Sequence, residues 1–485
     1  MNILILNPPF KGKFSREQRS PAITKSGTFY YPMWIAYATG ILEQNGYNVK
    51  LIDAPANLLG INDVLKIAQS FKPSLIVLDT STPSIYNDVK IGETLKEAFP
   101  DSSIVLVGPH VSATAEETLK LSTKIDIICH GEYDYTLKDI ADAIQNNTHK
   151  KLYEAFNEIA GISFQKNGNI THTPHRPFIE DLDNLPFVSS VYKKHLDYTQ
   201  YFYAHSQYPI VTIIGGRGCP HRCVYCVYPQ TFSGRILRYR SIKNIVDELE
   251  YIVKEFKNLK EVMFEDDTLT VNRVRCREFC KEILSRNLKI VWSCNSRADV
   301  DYATLKLMKL AGCRLMCVGF ESGNEQILKN MKKGVKLEKM FDFMQSARKA
   351  KILVHGCFMI GNPGDSRLTI QNTLNFAKKL NPDTAQFFPI MVYPGTEAYE
   401  WVKSSGYLRV SNYSEWLTDE GLHNCVVDLP NLSHQDMVKF CNYARKNFYL
   451  RSSYITTKLL QSIKNPTEGK RIFKSLKTFI RHLIK

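Results

Sequence analysis

In the stretch RGCPHRCVYCVYPQTFSGR, residues 217–235, three thiols fall within eight positions, at Cys219, Cys223 and Cys226. Spacings of four and three residues let one short loop wrap its sulfurs around a single compact inorganic centre. The loop follows Gly215-Gly216-Arg217-Gly218, where absent side chains let the backbone approach closely. A structural zinc ion takes four protein ligands, usually from two knuckles well separated in sequence. Here there is no second pair, and His221 sits inside the same tight loop, where reaching the same metal would strain the backbone. Three thiolates suit a 4Fe-4S cluster with one iron left open to a non-protein ligand. Zinc, or three merely structural cysteines, are the competing readings. Of the twelve cysteines, Cys276 and Cys280, like Cys313 and Cys317, lie four apart in amphipathic or strand-like runs and read as core thiols.

The elements that must carry this loop form a β/α series. Strands are expected at 210–215, 261–265, 289–294, 314–320, 353–360 and 384–391, with helices at 241–257, 271–287, 301–311, 336–350 and 367–380. Six units are too few for the eight of a closed barrel, so a partial, open barrel is expected. Four polar segments fall at successive strand ends: FEDDTLT (264–270), WSCNSRAD (292–299), GFESGNEQIL (319–328) and GCFMIGNPGDS (356–366). Singly, such carboxylates and glycines also serve as helix caps and β/α turns. Together they mark the carboxyl face, where barrel active sites lie.

Ahead of this series, ILILN, VKLIDA, SLIVLDT, SIVLVGP and DIICHG read as short, unalternating apolar strands separated by helices. That pattern predicts a parallel, doubly wound sheet covered on both faces. Such sheets bind ligands at the carboxyl ends of their strands, which selects Asn7-Pro8-Pro9, Thr80-Ser81-Thr82-Pro83, Gly108-Pro109-His110 and Gly131-Glu132. The expected map is a doubly wound domain over 1–149, a turn-rich linker over 150–205, the partial barrel over 206–400, and a helical, increasingly basic region over 401–485.

A 44% hydrophobic and 23% charged composition is that of a folded chain. No run approaches the roughly 18 apolar residues of a membrane span. MNILILNPPF lacks the basic n-region of a signal peptide, so a cytoplasmic protein is expected. The formal charge is +15, and residues 451–485 hold nine Lys/Arg against Glu468 alone, a net +8. Within KRIFKSLKTFIRHLIK (470–485) the apolar residues 472, 473, 476, 479, 480, 483 and 484 share one helical face. That segment suits an anionic membrane surface, its own protein core, or an acidic ferredoxin- or flavodoxin-type electron donor. No nucleic-acid partner is expected, since no added basic and aromatic domain is present.

The C-x-x-x-C-x-x-C loop after the first strand of a β/α series resembles the radical S-adenosylmethionine superfamily. The resemblance implies that Cys219, Cys223 and Cys226 ligate the cluster and that S-adenosylmethionine chelates its open iron. Reductive cleavage then yields a 5′-deoxyadenosyl radical. Tyr225 matches the aromatic residue usual before the last family cysteine. Asp266 and Asp267 resemble the family's acidic pair. Asn295 and Arg297 end the third strand, with Arg297 facing the cofactor carboxylate, and Glu321 and Ser322 are the ribose partners. Asn362 and Asp365 depart from the family's common G-x-P-G-E-T loop.

The doubly wound domain resembles the cobalamin-binding class, through PMWIAYATGILEQNGYNVKLIDAPA (32–56), LVGPHVSATAEETL (106–119), HGEYDYTLKDIA (130–141) and the segment 161–187. This makes Ser81, Gly108, His110, Gly131 and Glu132 candidate cofactor contacts, with His110 near a nucleotide tail or simply a loop histidine. The loop NPPFKGKF lacks the mutases' D-x-H-x-x-G histidine, so cobalt would have no imidazole from it. CVYCVYPQTFSGR, YYPMWIAYA, LIDAPA and RKNFYLRSSYI are similar to the hopanoid-biosynthesis-associated branch. That similarity implies methylation or rearrangement at an unreactive carbon of a lipid-like or lipid-linked substrate. A non-catalytic iron-sulfur or zinc sensor and an RNA-modifying radical enzyme are the competing functions.

Overall fold

The structure is a computed structural model and describes residues 1–146, 149–166, 168–464 and 469. Its first sheet contains β1 (Asn2–Asn7), β2 (Asn48–Asp53), β3 (Leu75–Asp79), β4 (Ser103–Val107) and β5 (Ile127–Cys129), paired in parallel in the order β2-β1-β3-β4-β5. These strands are apolar on both faces because helices cover both. Leu75–Asp79 is buried throughout, and ten consecutive residues of the helix Met33–Gln44 are buried against the strands. Strand order reverses between β1 and β3, which opens a ligand crevice beyond their carboxyl ends.

The stretch expected to be a linker contributes structure of its own. β6 (Ile162–Lys166) and β7 (Asn169–His172) extend the first sheet as an antiparallel hairpin on β5. Asn167-Gly168 is the sequence signal of a two-residue hairpin, and Gly168 takes a φ of +81°.

The second sheet holds β8 (Ile210–Ile213), β11 (Glu261–Phe264), β12 (Trp292–Ser296), β13 (Cys313–Glu321), β14 (Leu353–Ile360) and β15 (Thr384–Pro389), all parallel, in the order β15-β14-β13-β12-β11-β8. This is an open six-stranded half-barrel. β12 begins three residues later than expected and so carries Asn295 within the strand. A short antiparallel ribbon, β9 (Gly216–Arg217) with β10 (Arg238–Tyr239), closes the base of the cysteine loop.

Two buried ion pairs join the sheets. Arg217 donates to Asp134 at 2.7 and 3.0 Å, and Arg238 to Glu132 at 2.7 Å through both terminal nitrogens. After β15, the expected helical region is helical only in part. Residues 405–433 form a strap of isolated bridges and one short turn, Tyr413–Trp416, pinned by buried Trp416. Gly406 (φ +72°) and Gly421 (φ +78°) place it outside helical geometry. The helices His434–Tyr449 and Ser452–Lys464 follow. Among the described residues no helix is long and apolar enough to cross a membrane. The amphipathic run 470–485 lies outside the described residues.

Candidate active site

Gly218 sets the shape of the cysteine loop. Its φ is +88°, and a Cβ there would lie 2.1 Å from the Ile236 carbonyl oxygen. The loop can therefore fold flat against the returning strand only with glycine. Backbone bonds then fix it: Cys219 N–H donates to Gly234 O (3.1 Å), Val224 N–H to Met331 O (3.2 Å) and Cys226 N–H to Cys223 O (3.3 Å). Cys219 and Cys223 are buried and Cys226 half-buried. Burial, with the Asp267 charge adding, pushes the thiols of Cys219 and Cys226 up, so free thiolates are disfavoured there. A cationic iron centre reverses that preference.

Among the described residues no three Cys, His, Asp or Glu side chains converge as a site for one metal ion. Three cysteines without a fourth protein ligand are the donor set of a cubane with one open iron rather than of a four-coordinate zinc ion. Burial and the Arg297 charge lower the pKa of His221 to about 4.

The strand-end residues sort into two groups. Around the loop stand Tyr225, Asp267, Arg297 and Glu321. Arg297 places Nη1 3.8 Å from Cys223 Sγ and donates Nη2 to the Lys333 carbonyl, while its buried Nε has no hydrogen-bond partner. Asp299 stands 3.9 Å from that nitrogen. Glu321 sits at a φ of +63° and accepts from Tyr225 Oη (2.9 Å) and Lys333 Nζ (3.0 Å). A Cβ on Gly319 would lie 2.1 Å from the Glu321 carboxylate, so the glycine leaves room for that group.

The second group braces the backbone. Asp266 accepts from Gly215 N–H at 2.9 Å and anchors the glycine run; burial raises its pKa to about 7. Asn295 Nδ2 donates to Glu265 and to the Asp266 carbonyl, both at 3.1 Å. Ser322 bonds Thr373 (3.3 Å) and accepts from Asn324 N–H (3.2 Å), and Asp365 closes its own turn by accepting from Gly361 and Asn362 N–H (2.9 and 2.8 Å).

Two participants were missed by sequence reasoning. Lys333 neutralises Glu321 from twelve residues away. Arg19 donates to Glu265 (3.1 Å) and Asp267 (3.3 Å) from the loop after β1, 246 and 248 residues distant. No local pattern could have flagged either contact. The Arg19 loop, with Tyr30, Trp34 and Tyr228, closes over the barrel mouth and leaves a cavity of about 20 Å³, room for about one water.

At the crevice of the first sheet the charges face each other. Arg16 bonds Asp88 (2.7 Å, both side chains fully buried), Asn7 Oδ1 (2.8 Å) and the Pro8 carbonyl (2.6 Å). Asp53, raised to about 6 by burial, accepts from Tyr201 Oη (2.7 Å) and Asn7 Nδ2 (2.9 Å). Asp79 Oδ2 is buried without a hydrogen-bond partner, and burial, with Asp88 and Asp53 adding and Arg16 opposing, raises its pKa. Above it, Gly108 takes a φ of +119° with the Thr80 carbonyl 2.7 Å from where a Cβ would stand. An unpartnered carboxyl beneath a side-chain-free backbone fits an amide-fringed corrin cofactor.

Ser81 bonds Ser84 (2.7 Å), and Thr82 bonds His110 Nδ1 (3.1 Å). His110 is buried edge-on to Tyr413 of the strap (4.8 Å), and burial lowers its pKa to about 3. Gly131 takes a φ of +58° near the Phe232 carbonyl, just after the cysteine loop. Glu132 is committed to Arg238 and to Ile179 N–H (3.2 Å), which makes it a joint between the sheets.

Residues 19–141 match the B12 binding domain family, and residues 213–377 match the Radical SAM superfamily. An uncharacterized methyltransferase of Pyrococcus horikoshii is 29% identical over 93% of this chain and 93% of its own length. An anaerobic magnesium-protoporphyrin IX monomethyl ester cyclase of Rubrivivax gelatinosus is 28% identical over 76% of this chain and 66% of its length. In fold, the chain resembles the radical S-adenosylmethionine methyltransferase TsrM from Kitasatospora setae, with a TM-score of 0.68 and 16% identity over 90% of this chain and 88% of that one. A TsrM structure with cobalamin and a [4Fe-4S] cluster bound has a TM-score of 0.67 and 16% identity, covering 91% and 90%.

Proposed function

We propose that this chain, a radical S-adenosylmethionine enzyme whose cobalamin-binding domain precedes its radical domain, is a C-methyltransferase acting on an unreactive carbon. Its cofactors are a 4Fe-4S cluster, S-adenosylmethionine and cobalamin. When bound, they supply a 5′-deoxyadenosyl radical and a transferable methyl group; the chain's own work is to hold, orient and exclude. The observation that carries the reading is the three-thiol loop seated beside Arg297, 3.8 Å from Cys223.

In this reading Cys219, Cys223 and Cys226 hold the cluster. Arg297, with its buried unpartnered Nε, receives the cofactor carboxylate, a pairing guanidinium geometry favours. Glu321, held by Tyr225 and Lys333, receives the ribose hydroxyls, and Ser322, buried and bonded to Thr373, braces that turn. Asp267 and Arg19 lie between the cluster loop and the first domain, and the aromatic lid beside them keeps water from the radical. Asp79, Ser81, Gly108 and His110 border the corrin crevice. Gly131 shapes the boundary between sheets, and Glu132 positions the domains.

The substrate we favour is lipid-like or lipid-linked, as implied by the likeness to the hopanoid-associated branch, in a cytoplasmic protein reduced by a ferredoxin- or flavodoxin-type donor. Arg222, exposed on the cluster loop, suits such an acidic donor. A cobalamin-assisted ring closure or rearrangement is the second reading, favoured by the likeness to the cyclase.

Anaerobic reconstitution should load four irons and four sulfides per chain, and dithionite should then release 5′-deoxyadenosine. A protein that takes up one zinc instead, or a Cys223→Ala variant that keeps full turnover, would overturn the proposal. Mass spectrometry of a strain lacking the chain should show lost +14 Da species if the reaction is methylation.

A further inference from the structure

The helix Ser452–Lys464 lies with its polar side inward. Toward the protein it turns Tyr454 and Lys458, both buried. Tyr454 Oη donates to the Asp383 carbonyl (2.8 Å) and Lys458 Nζ pairs with the Asp383 carboxylate (3.1 Å). Outward it turns Ile455 (44% exposed), Leu459 (61%), Leu460 (54%) and Ile463 (78%). Residues 455, 459 and 463 recur every fourth position, so they form one stripe with Leu460 beside it. Single exposed leucines are ordinary, but a contiguous stripe of branched side chains marks a contact surface.

The charge of this part of the sequence selects the occupant. Residues 451–485 carry nine cations and one acid, a net +8. A second copy would bring two such regions face to face and meet repulsion. Coverage by the chain's own residues 470–485 would satisfy the leucines and leave the cations without counter-charges. An anionic bilayer satisfies both at once: its acyl boundary takes the leucines and its headgroups take the lysines and arginines of this sequence other than Lys458 and Arg451, which bond to the protein itself.

We infer that the outward face of Ser452–Lys464 docks this protein on an anionic lipid surface. The inference does not rest on the identity of the substrate, and it places the half-barrel next to a bilayer whatever is methylated there.

Co-sedimentation of the full reconstituted chain with vesicles tests it. Vesicles of phosphatidylglycerol and phosphatidylcholine should carry the protein down, and vesicles of phosphatidylcholine alone should carry at least about tenfold less. The variant Ile455→Ser/Leu459→Ser/Leu460→Ser/Ile463→Ser should lose at least about tenfold in binding to the anionic vesicles. Because all four side chains face outward, its melting temperature and dithionite-driven 5′-deoxyadenosine release should match the parent. Leu459→Glu should repeat the loss through one substitution.

Wild-type protein that stays in solution with anionic vesicles would overturn the inference, as would a quadruple variant that binds them undiminished. So would a concentration-dependent dimer in light scattering that the quadruple variant abolishes, because the stripe would then be a self-contact. Tighter binding to a short RNA than to the vesicles would overturn it in favour of a nucleic-acid surface.

Discussion

The mouth of the half-barrel and the crevice of the first sheet both lie at the carboxyl ends of parallel strands, yet they keep their charges differently. At the mouth, donors are left in hand: Arg297 holds a buried Nε without a hydrogen-bond partner, and burial pushes the thiols of Cys219 and Cys226 up. At the crevice, charge is largely matched from within, by Arg16 on Asp88 and by Tyr201 and Asn7 on Asp53, and only Asp79 keeps an open oxygen. A charged ligand is recognised by groups that wait for it, and an amide-rich one by neutral groups. The contrast predicts that substitutions at the mouth change chemistry and affinity, whereas those at the crevice change folding.

The largest expected effect is at the mouth. Cys223→Ser should abolish cluster loading at that corner and lower 5′-deoxyadenosine release by about three orders of magnitude or more, roughly 4 kcal/mol of barrel-mouth function. The melting temperature of the apo protein should barely move. A large fall in that temperature would mean that the thiol is a packing group and would erase the contrast.

Next is Asp266, one of the mouth residues that brace the backbone. Burial holds its pKa near 7, above the ordinary carboxylate value. The folded state therefore binds a proton that the unfolded chain has released. The stabilisation is complete below the unfolded pKa near 4 and is lost as pH rises through about 7. Full expression of that shift is about 4 kcal/mol. Asp266→Asn keeps an acceptor for Gly215 N–H and cannot ionise, so denaturant unfolding should show a flatter pH dependence than the parent between pH 4 and 8. Parallel profiles would show that the group ionises freely.

At the crevice, Arg16→Gln would leave the Asp88 carboxylate fully buried without its cation. Loss of about 3 kcal/mol in unfolding free energy is expected, with cluster content unchanged. Should the variant instead keep its stability and lose iron, the two regions would share one role and the comparison would fail.

How much of this was legible in the sequence follows from where each signal sits. The strands of both sheets are unalternating apolar runs, and the helix Met33–Gln44 is buried along most of its length, so local pattern suffices. The cysteine loop is legible because its three donors and its glycine lie within nine residues. The β6–β7 hairpin was hidden inside a turn-rich stretch, although Asn167-Gly168 marked it. The strap 405–433 has no periodicity; buried Trp416 and His110 facing Tyr413 order it through contacts with distant residues. Arg19 and Lys333 were invisible for the same reason. A charge whose partner is fixed by tertiary packing carries no signature beside itself in the chain.

The finest test of the contrast is Arg297→Lys. Lysine keeps the charge and removes the planar fork, so it can meet a carboxylate only as a point charge. Its ammonium would also have to give up either the Lys333 carbonyl or the approach to Cys223, both of which Arg297 now serves. S-adenosylmethionine affinity, read by equilibrium dialysis on the cluster-loaded protein, should fall about tenfold, or about 1.4 kcal/mol. Unfolding free energy should change by less than about 1 kcal/mol, since the aliphatic stem still fills the same buried space. An unchanged affinity with a collapsed stability would make Arg297 a counterpart of Arg16, a cation spent on its own fold, and the mouth would then lose the donor that distinguishes it from the crevice.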